Sequence, residues 1–200
     1  MKRIAIVLAA GAATRFGGGK LVADFRGEPL LTHAIRAARL APVERVIVVA
    51  PPGFDIGHWP DAPIVEVRAL ASTALSQSLA TGVGAAIEAD ADAAFVFLGD
   101  MPLVPHGVAA RLADAIGTAF AAVPTDHGKP GHPVLFARAA FSALAGLAGD
   151  EGAGRLLRGR DDVVQVAIDD PGIRLDVDVP ADITRLDERQ ISGEPTGDGR

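Results

Sequence analysis

Ile4-Ala5-Ile6-Val7-Leu8 runs without a break into Ala9-Ala10-Gly11-Ala12-Ala13-Thr14-Arg15-Phe16-Gly17-Gly18-Gly19-Lys20. An uninterrupted apolar run that ends in turn residues reads as a strand buried on both faces, as in the centre of a parallel sheet. The small residues beyond it let backbone N–H groups approach phosphate oxygens without side-chain obstruction. Arg15 can fork onto phosphate oxygens, and Lys20 adds a compact, mobile charge. The segment therefore reads as a loop for a nucleoside triphosphate; the alternative is a surface loop carrying two solvated cations.

Two common phosphate loops do not fit. The Walker pattern needs Gly-x-x-x-x-Gly-Lys-Ser/Thr, whereas Gly19-Lys20 is followed by Leu21 and Thr14 stands where the first glycine should be. The dinucleotide pattern Gly-x-Gly-x-x-Gly fails as well, because Gly11 is followed by Ala12, Ala13 and Thr14. A third kind of triphosphate loop is required.

Outward from the loop, strand-like and helix-like runs alternate along the chain. Residues 29–40 read as a helix with Pro29 in its first turn. Residues 46–49 read as a strand stopped by Pro51-Pro52, and 64–67 as a weaker strand. A helix over 73–89, starting at Ser72 or Thr73, precedes the apolar strand 94–98, which ends at Gly99-Asp100. Helices over 106–116, 138–147, 152–157 and 180–186 alternate with strands over 120–123, 134–136 and 163–168. This order predicts an α/β protein, a three-layer α/β/α sandwich around a mostly parallel, Rossmann-like central sheet. Ligands of such sheets bind beyond the carboxyl ends of the strands, where the glycine-rich loop and Asp100 would both lie.

With 200 residues and no Pro- or Ser-rich linker, one domain over 1–188 is expected, followed by a disordered tail over 189–200. The net charge of −6 argues against general nucleic-acid binding. No cysteine is present, which excludes disulfides and thiolate metal sites and is compatible with a cytoplasmic location. No apolar stretch reaches the length of a membrane span, and the short run after Lys2-Arg3 does not make a secretory signal.

Two acidic segments complete the candidate site. Asp100, at the mouth of a buried strand, is placed to hold magnesium against substrate phosphates; the alternative is a turn or helix-capping aspartate. If residues 175–179 are extended, Asp176 and Asp178 face one side and either could complete the metal site. Asp178 could instead cap the helix that starts at Pro180, with Asp182 complementing that helix's dipole. His127 and His132 have neither a cysteine nor a third ligand beside them, so zinc is not favoured.

Taken in order, these motifs resemble the MobA-like nucleotidyltransferases, most closely the molybdenum cofactor cytidylyltransferases. The resemblance rests on Leu8-Ala9-Ala10-Gly11 with Arg15-Phe16-Gly17 and Lys20, on Gly99-Asp100-Met101-Pro102, on Gly131-His132-Pro133-Val134-Leu135-Phe136 and on Asp176-Val177-Asp178-Val179-Pro180. Gly149-Asp150-Glu151-Gly152-Ala153 matches a further Gly-Asp-x-Gly-Ala element. The resemblance implies a fold of the nucleotide-diphospho-sugar transferase type. It also implies a magnesium-dependent enzyme that moves CMP from CTP to molybdopterin, making molybdopterin cytosine dinucleotide and pyrophosphate. Arg15, Lys20 and Asp100 would be catalytic, and Asp100 and Asp178 would hold Mg2+. Leu8, Ala9, Ala10, Gly11 and Ser78 would face the nucleotide, and His132 the pterin side. Alternative roles remain: helix capping for Ser78, a structural turn for His132.

Guanylyl-transferring relatives generally read Leu-Ala-Gly-Gly where this chain has Leu8-Ala9-Ala10-Gly11, so Ala10 leans toward cytosine. Transient contact with a molybdenum hydroxylase or its maturation factor is also implied. The chain departs from the pattern at Ala13, where relatives often carry a hydroxyl, and it has no tyrosine to stack on a pterin. Two rivals stand beside this reading: a guanylyltransferase or other NTP transferase on the same scaffold, and a non-catalytic protein that binds and delivers the cofactor.

Overall fold

The computed structural model describes residues 1–11, 13–149 and 152–191, with side chains through residue 188. Residues 192–200, most of the expected tail, lie outside the described residues, as do Asp150 and Glu151. The first strand, β1 (Arg3–Leu8), shows why the apolar run decides the fold. Ala5 and Val7 point into one hydrophobic core and Ile4 and Ile6 into another, all fully buried. A strand with alternate side chains in two separate cores must be covered on both faces.

A short hairpin of β2 (Asp24–Phe25) and β3 (Glu28–Pro29) leads into α1 (Leu30–Arg39), and β4 (Arg45–Ala50) and β5 (Ile64–Ala69) follow. Next come α2 (Leu75–Glu88), β6 (Ala93–Leu98), α3 (Val108–Ala115) and β7 (Ala121–Asp126). The chain then forms β8 (Lys129–Pro130), β9 (Val134–Ala137), α4 (Phe141–Ala145), α5 (Gly154–Leu157), β10 (Val163–Ala167) and α6 (Pro180–Ile191). The sheet order is β10-β7-β9-β6-β1-β4-β5, with β8 appended to β7. Within this sheet, among the described residues, only β8 and β9 run against the direction of the other strands.

Leu31 and Ile35 of α1 and Leu112 of α3 pack in the core on one face of the sheet. Leu79 and Val83 of α2 and Phe141 and Leu144 of α4 fill the core on the other. This is the expected three-layer α/β/α sandwich. Among the described residues, no helix is long and apolar enough to cross a membrane.

Several boundaries differ from the sequence expectation. Pro29 belongs to β3 and precedes α1 rather than opening it. The helix expected from 73 starts at Leu75, and Ser72 Oγ accepts from the Ala74 N–H at 3.2 Å before the helix begins. Strand β7 passes through Pro124 to Asp126 instead of stopping at Val123. The final helix continues past Leu186 to Ile191, into the segment expected to be tail.

Candidate active site

Leu8 pairs with Leu98 at the carboxyl ends of β1 and β6, so the glycine-rich loop and Gly99-Asp100 leave the sheet side by side. The Gly99 N–H donates to the Leu8 carbonyl at 2.9 Å. Within the loop, Ala13, Gly17, Gly18 and Gly19 all take left-handed φ angles. Two short 3-10 turns result, Thr14–Phe16 carrying Arg15 and Lys20–Val22 beginning with Lys20.

A third segment crosses the strand ends. Beyond β10, the N–H groups of Ile168 and Asp169 donate to the Thr125 carbonyl at 2.8 and 3.3 Å. Farther along, the Ile173 carbonyl accepts from His132 N at 2.7 Å, and Val177 N donates to the Asp100 carbonyl at 3.0 Å. The crossing fits because two positions lack a side chain. A Cβ on Gly131 would stand 2.3 Å from the Ile173 oxygen, and one on Gly172 would stand 2.2 Å from the Leu103 oxygen. Both contacts are far inside van der Waals distance, so any side chain would lift the segment off the sheet edge.

This segment delivers Asp176 and Asp178 to Asp100. One ligand oxygen from each of the three lies within 4.8 Å of the others, so Asp176 and Asp178 do face one side. Lys20 Nζ donates to Asp100 Oδ2 at 2.6 Å and lies 3.8 Å from Asp178 Oδ1. Arg15 Nη1 donates to Asp178 Oδ2 at 3.0 Å. The Lys20 side chain is only 11% exposed and that of Asp100 24%, whereas Arg15 is 77% exposed and Asp178 46%. The inner pair is thus partly buried and the outer pair reaches into solvent.

The helix-capping alternative for Asp178 is taken by another residue. Asp182 Oδ2 accepts from Asp178 N at 2.8 Å and from Val179 N at 3.0 Å, bonding back from the first turn of α6. Those two donors hold the Asp182 carboxyl below the usual carboxylate range. Asp178 is left to face the cations. Partial burial holds Asp176 above its ordinary value, and the carboxylates of Asp100 and Asp178 push in the same direction.

The family described as the MobA-like NTP transferase domain matches residues 5–165. The chain belongs to that family. Relatives of this MobA-like protein include the purine catabolism protein PucB of Bacillus subtilis, 28% identical over 165 residues that cover 78% of this chain and 80% of PucB. A probable molybdenum cofactor guanylyltransferase of Pyrococcus horikoshii is 45% identical over 51 residues, 25% of this chain and 27% of that protein. Among solved structures, Rv0371c of Mycobacterium tuberculosis superposes with a TM-score of 0.80 at 29% identity, covering 94% of this chain and 99% of that one. Rv0371c has also been solved as a manganese complex, 28% identical with a TM-score of 0.75 over 94% of this chain and 99% of that one. The fold is of the nucleotide-diphospho-sugar transferase type.

In this MobA-like chain the remaining candidates line two cavities beside the ion pairs. Leu8, Ala9, Ala10, Gly11, Lys20, Ser78 and Asp100 border one of about 270 Å3. His132 borders a larger one of about 500 Å3, lined mainly by apolar residues, and Leu8, Leu75 and Leu98 are common to both. Ser78 donates its hydroxyl to the Ala74 carbonyl at 3.3 Å, inside α2 rather than at its cap. His132 Nδ1 faces the Val96 carbonyl at 3.5 Å. Burial of the ring lowers its pKa, against an upward pull from that carbonyl and from Asp100 and Asp176. The His132 imidazole is therefore read as neutral near pH 7.

Asp100, Asp176 and Asp178 offer oxygen donors only, the ligand type of a hard divalent cation. They form the one convergent cluster of potential metal ligands among the described residues, and neither His127 nor His132 belongs to it. Sequence reasoning overlooked Asp126 and Arg174, which form an ion pair at 3.0 Å in the same edge. The signal that marked Asp100, an acid ending a buried strand, was present at Asp126 as well. The sequence pattern hides it because the apolar run stops at Val123, three residues before the strand does.

Proposed function

We propose that the chain, acting as one domain over residues 1–188 in the cytoplasm, transfers CMP from CTP to the terminal phosphate of molybdopterin. The products are molybdopterin cytosine dinucleotide and pyrophosphate, and Mg2+ is the cofactor. The observation that carries this reading is the meeting of Arg15 and Lys20 with Asp100 and Asp178 beside the cavity that the glycine-rich loop borders. A passive carrier has no use for paired triphosphate cations and a carboxylate cluster. The dinucleotide product would pass by transient contact to a molybdenum hydroxylase or its maturation factor.

In the reaction, an oxygen of the acceptor phosphate forms a bond to the α-phosphorus of CTP. The bond from that phosphorus to the bridging oxygen breaks, and its electron pair leaves with pyrophosphate. No proton needs to be removed, because a phosphate monoester is largely ionised near neutral pH, so positioning and charge neutralisation do the catalysis. Lys20 and Arg15 exchange their carboxylate partners for the triphosphate and then steady the departing pyrophosphate. Asp100 and Asp178 hold the divalent ion, with Asp176 beside them; when bound, that ion polarises the phosphoryl oxygens and offsets their charge. The backbone of Ala9, Ala10 and Gly11, with Leu8 and Ser78, faces the nucleotide. His132 faces the acceptor in the adjoining cavity.

The choice of CTP rests on Ala10, a buried methyl group in the wall of the smaller cavity. The probable guanylyltransferase among the relatives supports GTP as the rival donor. A panel of CTP, GTP, ATP and UTP with molybdopterin and Mg2+, scored by pyrophosphate release, tests both levels. CTP should lead. GTP turnover equal to or above it defeats the cytosine assignment, and no release with any nucleotide defeats the transferase reading.

A further inference from the structure

The carboxylate of Asp126, at the end of β7, is only 7% exposed and bears a negative charge that must be matched. Its Oδ2 accepts from Arg174 Nη1 at 3.0 Å and its Oδ1 contacts His127 Nδ1 at 2.8 Å. Those contacts, the His127 hydrogen bond first, hold its pKa below the ordinary carboxylate value despite burial. Strand β9 separates β7 from β6, so this carboxylate belongs to a different part of the sheet edge from Asp100.

Arg174 is the last residue of a 3-10 turn, Pro171–Arg174, and the segment that follows carries Asp176 and Asp178. Burial varies along it, with Leu175 half-buried and Val179 exposed. Ile173 and Val177 are fully buried, whereas Arg174 and Asp176 are exposed and Asp178 is half-buried. Arg174 is separated from Asp176 by one residue, Leu175, whose backbone is extended, and Asp176 and Asp178 converge on Asp100. A rotation or lift at Arg174 therefore moves both downstream carboxylates relative to Asp100. The crossing is also anchored by backbone bonds, two to the Thr125 carbonyl at its start and one each through the Ile173 and Asp100 oxygens, and by the Asp182 carboxylate, which accepts from Asp178 N and Val179 N at its end. Arg174 to Asp126 adds a charge-assisted bond, a stronger class of contact with a defined direction.

We propose that Asp126 is a positioning residue for the metal-holding carboxylates, acting through Arg174 to fix the height and rotation of the segment that bears Asp176 and Asp178. This rests on the reading of Asp100, Asp176 and Asp178 as metal ligands. Asp126 itself touches neither substrate nor ion.

The test uses the full chain and Mn2+ alone, with the unbound ion followed by electron paramagnetic resonance. Asp126→Asn should weaken Mn2+ binding at least about five-fold. Arg174→Gln should give a loss of similar size, and the double variant should lose no more than the worse single, as expected for two groups acting as one unit. Asp162→Asn, which breaks the ion pair to Arg160 outside the crossing segment, should leave Mn2+ affinity unchanged. If Asp126→Asn lowers the melting temperature but keeps the parent Mn2+ affinity, Asp126 is only a stabilising residue and the inference falls. Should Asp126→Asn not fold, Arg174→Gln carries the test, and an unaltered affinity there overturns the proposal equally. Asp100→Asn separates the two levels: normal Mn2+ binding in that variant removes the ligand reading, whereas normal binding only in the Asp126 and Arg174 variants removes the positioning role alone.

Discussion

The ammonium of Lys20 lies where a metal ion would meet the carboxylates. It lies 2.6 Å from Asp100 Oδ2 and 3.8 Å from Asp178 Oδ1. Lys20→Met keeps the length of the side chain and removes its charge. A hydrogen bond to a charged group contributes about 1.5–3 kcal/mol net, and both partners here are less than one-quarter exposed, so screening by water is limited. An ion entering the native site must displace that contact first; in the variant it need not. At about 1.4 kcal/mol per decade, the nucleotide-free variant should bind Mn2+ about ten- to a hundred-fold more tightly than the parent. Catalysis should move the opposite way. Removing a charge aimed at the developing phosphoryl charge typically lowers turnover by about 10²–10³-fold. Mn2+ titration by paramagnetic resonance and pyrophosphate release measure the two effects separately. Unchanged or weaker Mn2+ binding by Lys20→Met in the absence of nucleotide would refute the idea that Lys20 competes with the ion.

Three further outcomes follow from particular contacts. Gly131→Ala places a methyl 2.3 Å from the Ile173 oxygen, so it should cost about 1–3 kcal/mol of stability and weaken Mn2+ binding; thermal melting and titration read both, and an unshifted melting temperature would show that the crossing segment is not seated on Gly131. Asp182→Asn should flatten the acid limb of the stability curve: the depressed folded pKa contributes stability that is complete above the unfolded value of about 4 and is lost as pH falls through the folded value. An acid limb identical to the parent's would contradict the two backbone bonds assigned to that carboxylate. Ala10→Gly should raise the GTP-to-CTP turnover ratio several-fold, and a constant ratio would move base selection elsewhere in the cleft.

Much of the architecture was legible because it depends on local pattern. The buried alternation of Ile4 to Val7 required cover on both faces, and Gly99-Asp100 after an apolar strand marked the sheet's carboxyl edge. Errors arose where distant structure overrides a local rule. Pro124 reads as the end of a strand because it has no N–H to donate. In the fold, β9 pairs with β7 only at Ala121 and Ala122, and the Pro124 carbonyl accepts from Gly131 instead. The missing donor therefore faces a stretch where the ladder has already stopped, and the strand continues to Asp126. The same error concealed the Asp126–Arg174 pair. The start of α2 differs for a related reason: Ser72 reads as a cap in the sequence, but its hydroxyl closes a turn ahead of the helix, which begins at Leu75.

The candidate site was legible as a set of residue types but not as a set of pairs. Arg15 and Asp178 are 163 positions apart, and Lys20 and Asp100 are 80 apart, so no local pattern could assign either partner. Their pairing has a consequence for substrate binding. Three carboxylates, Asp100, Asp176 and Asp178, outnumber the two cations, Arg15 and Lys20, leaving the centre net negative when all are ionised. That balance disfavours a triphosphate alone. A divalent cation held at this centre by Asp100 and Asp178 would reverse the sign and free both side chains to turn toward phosphate oxygens. Nucleotide and ion should therefore bind with positive coupling, each strengthening the other by the same factor, as linkage requires. Equal Mn2+ affinity with and without bound nucleotide would show that the carboxylates and the cations serve separate purposes.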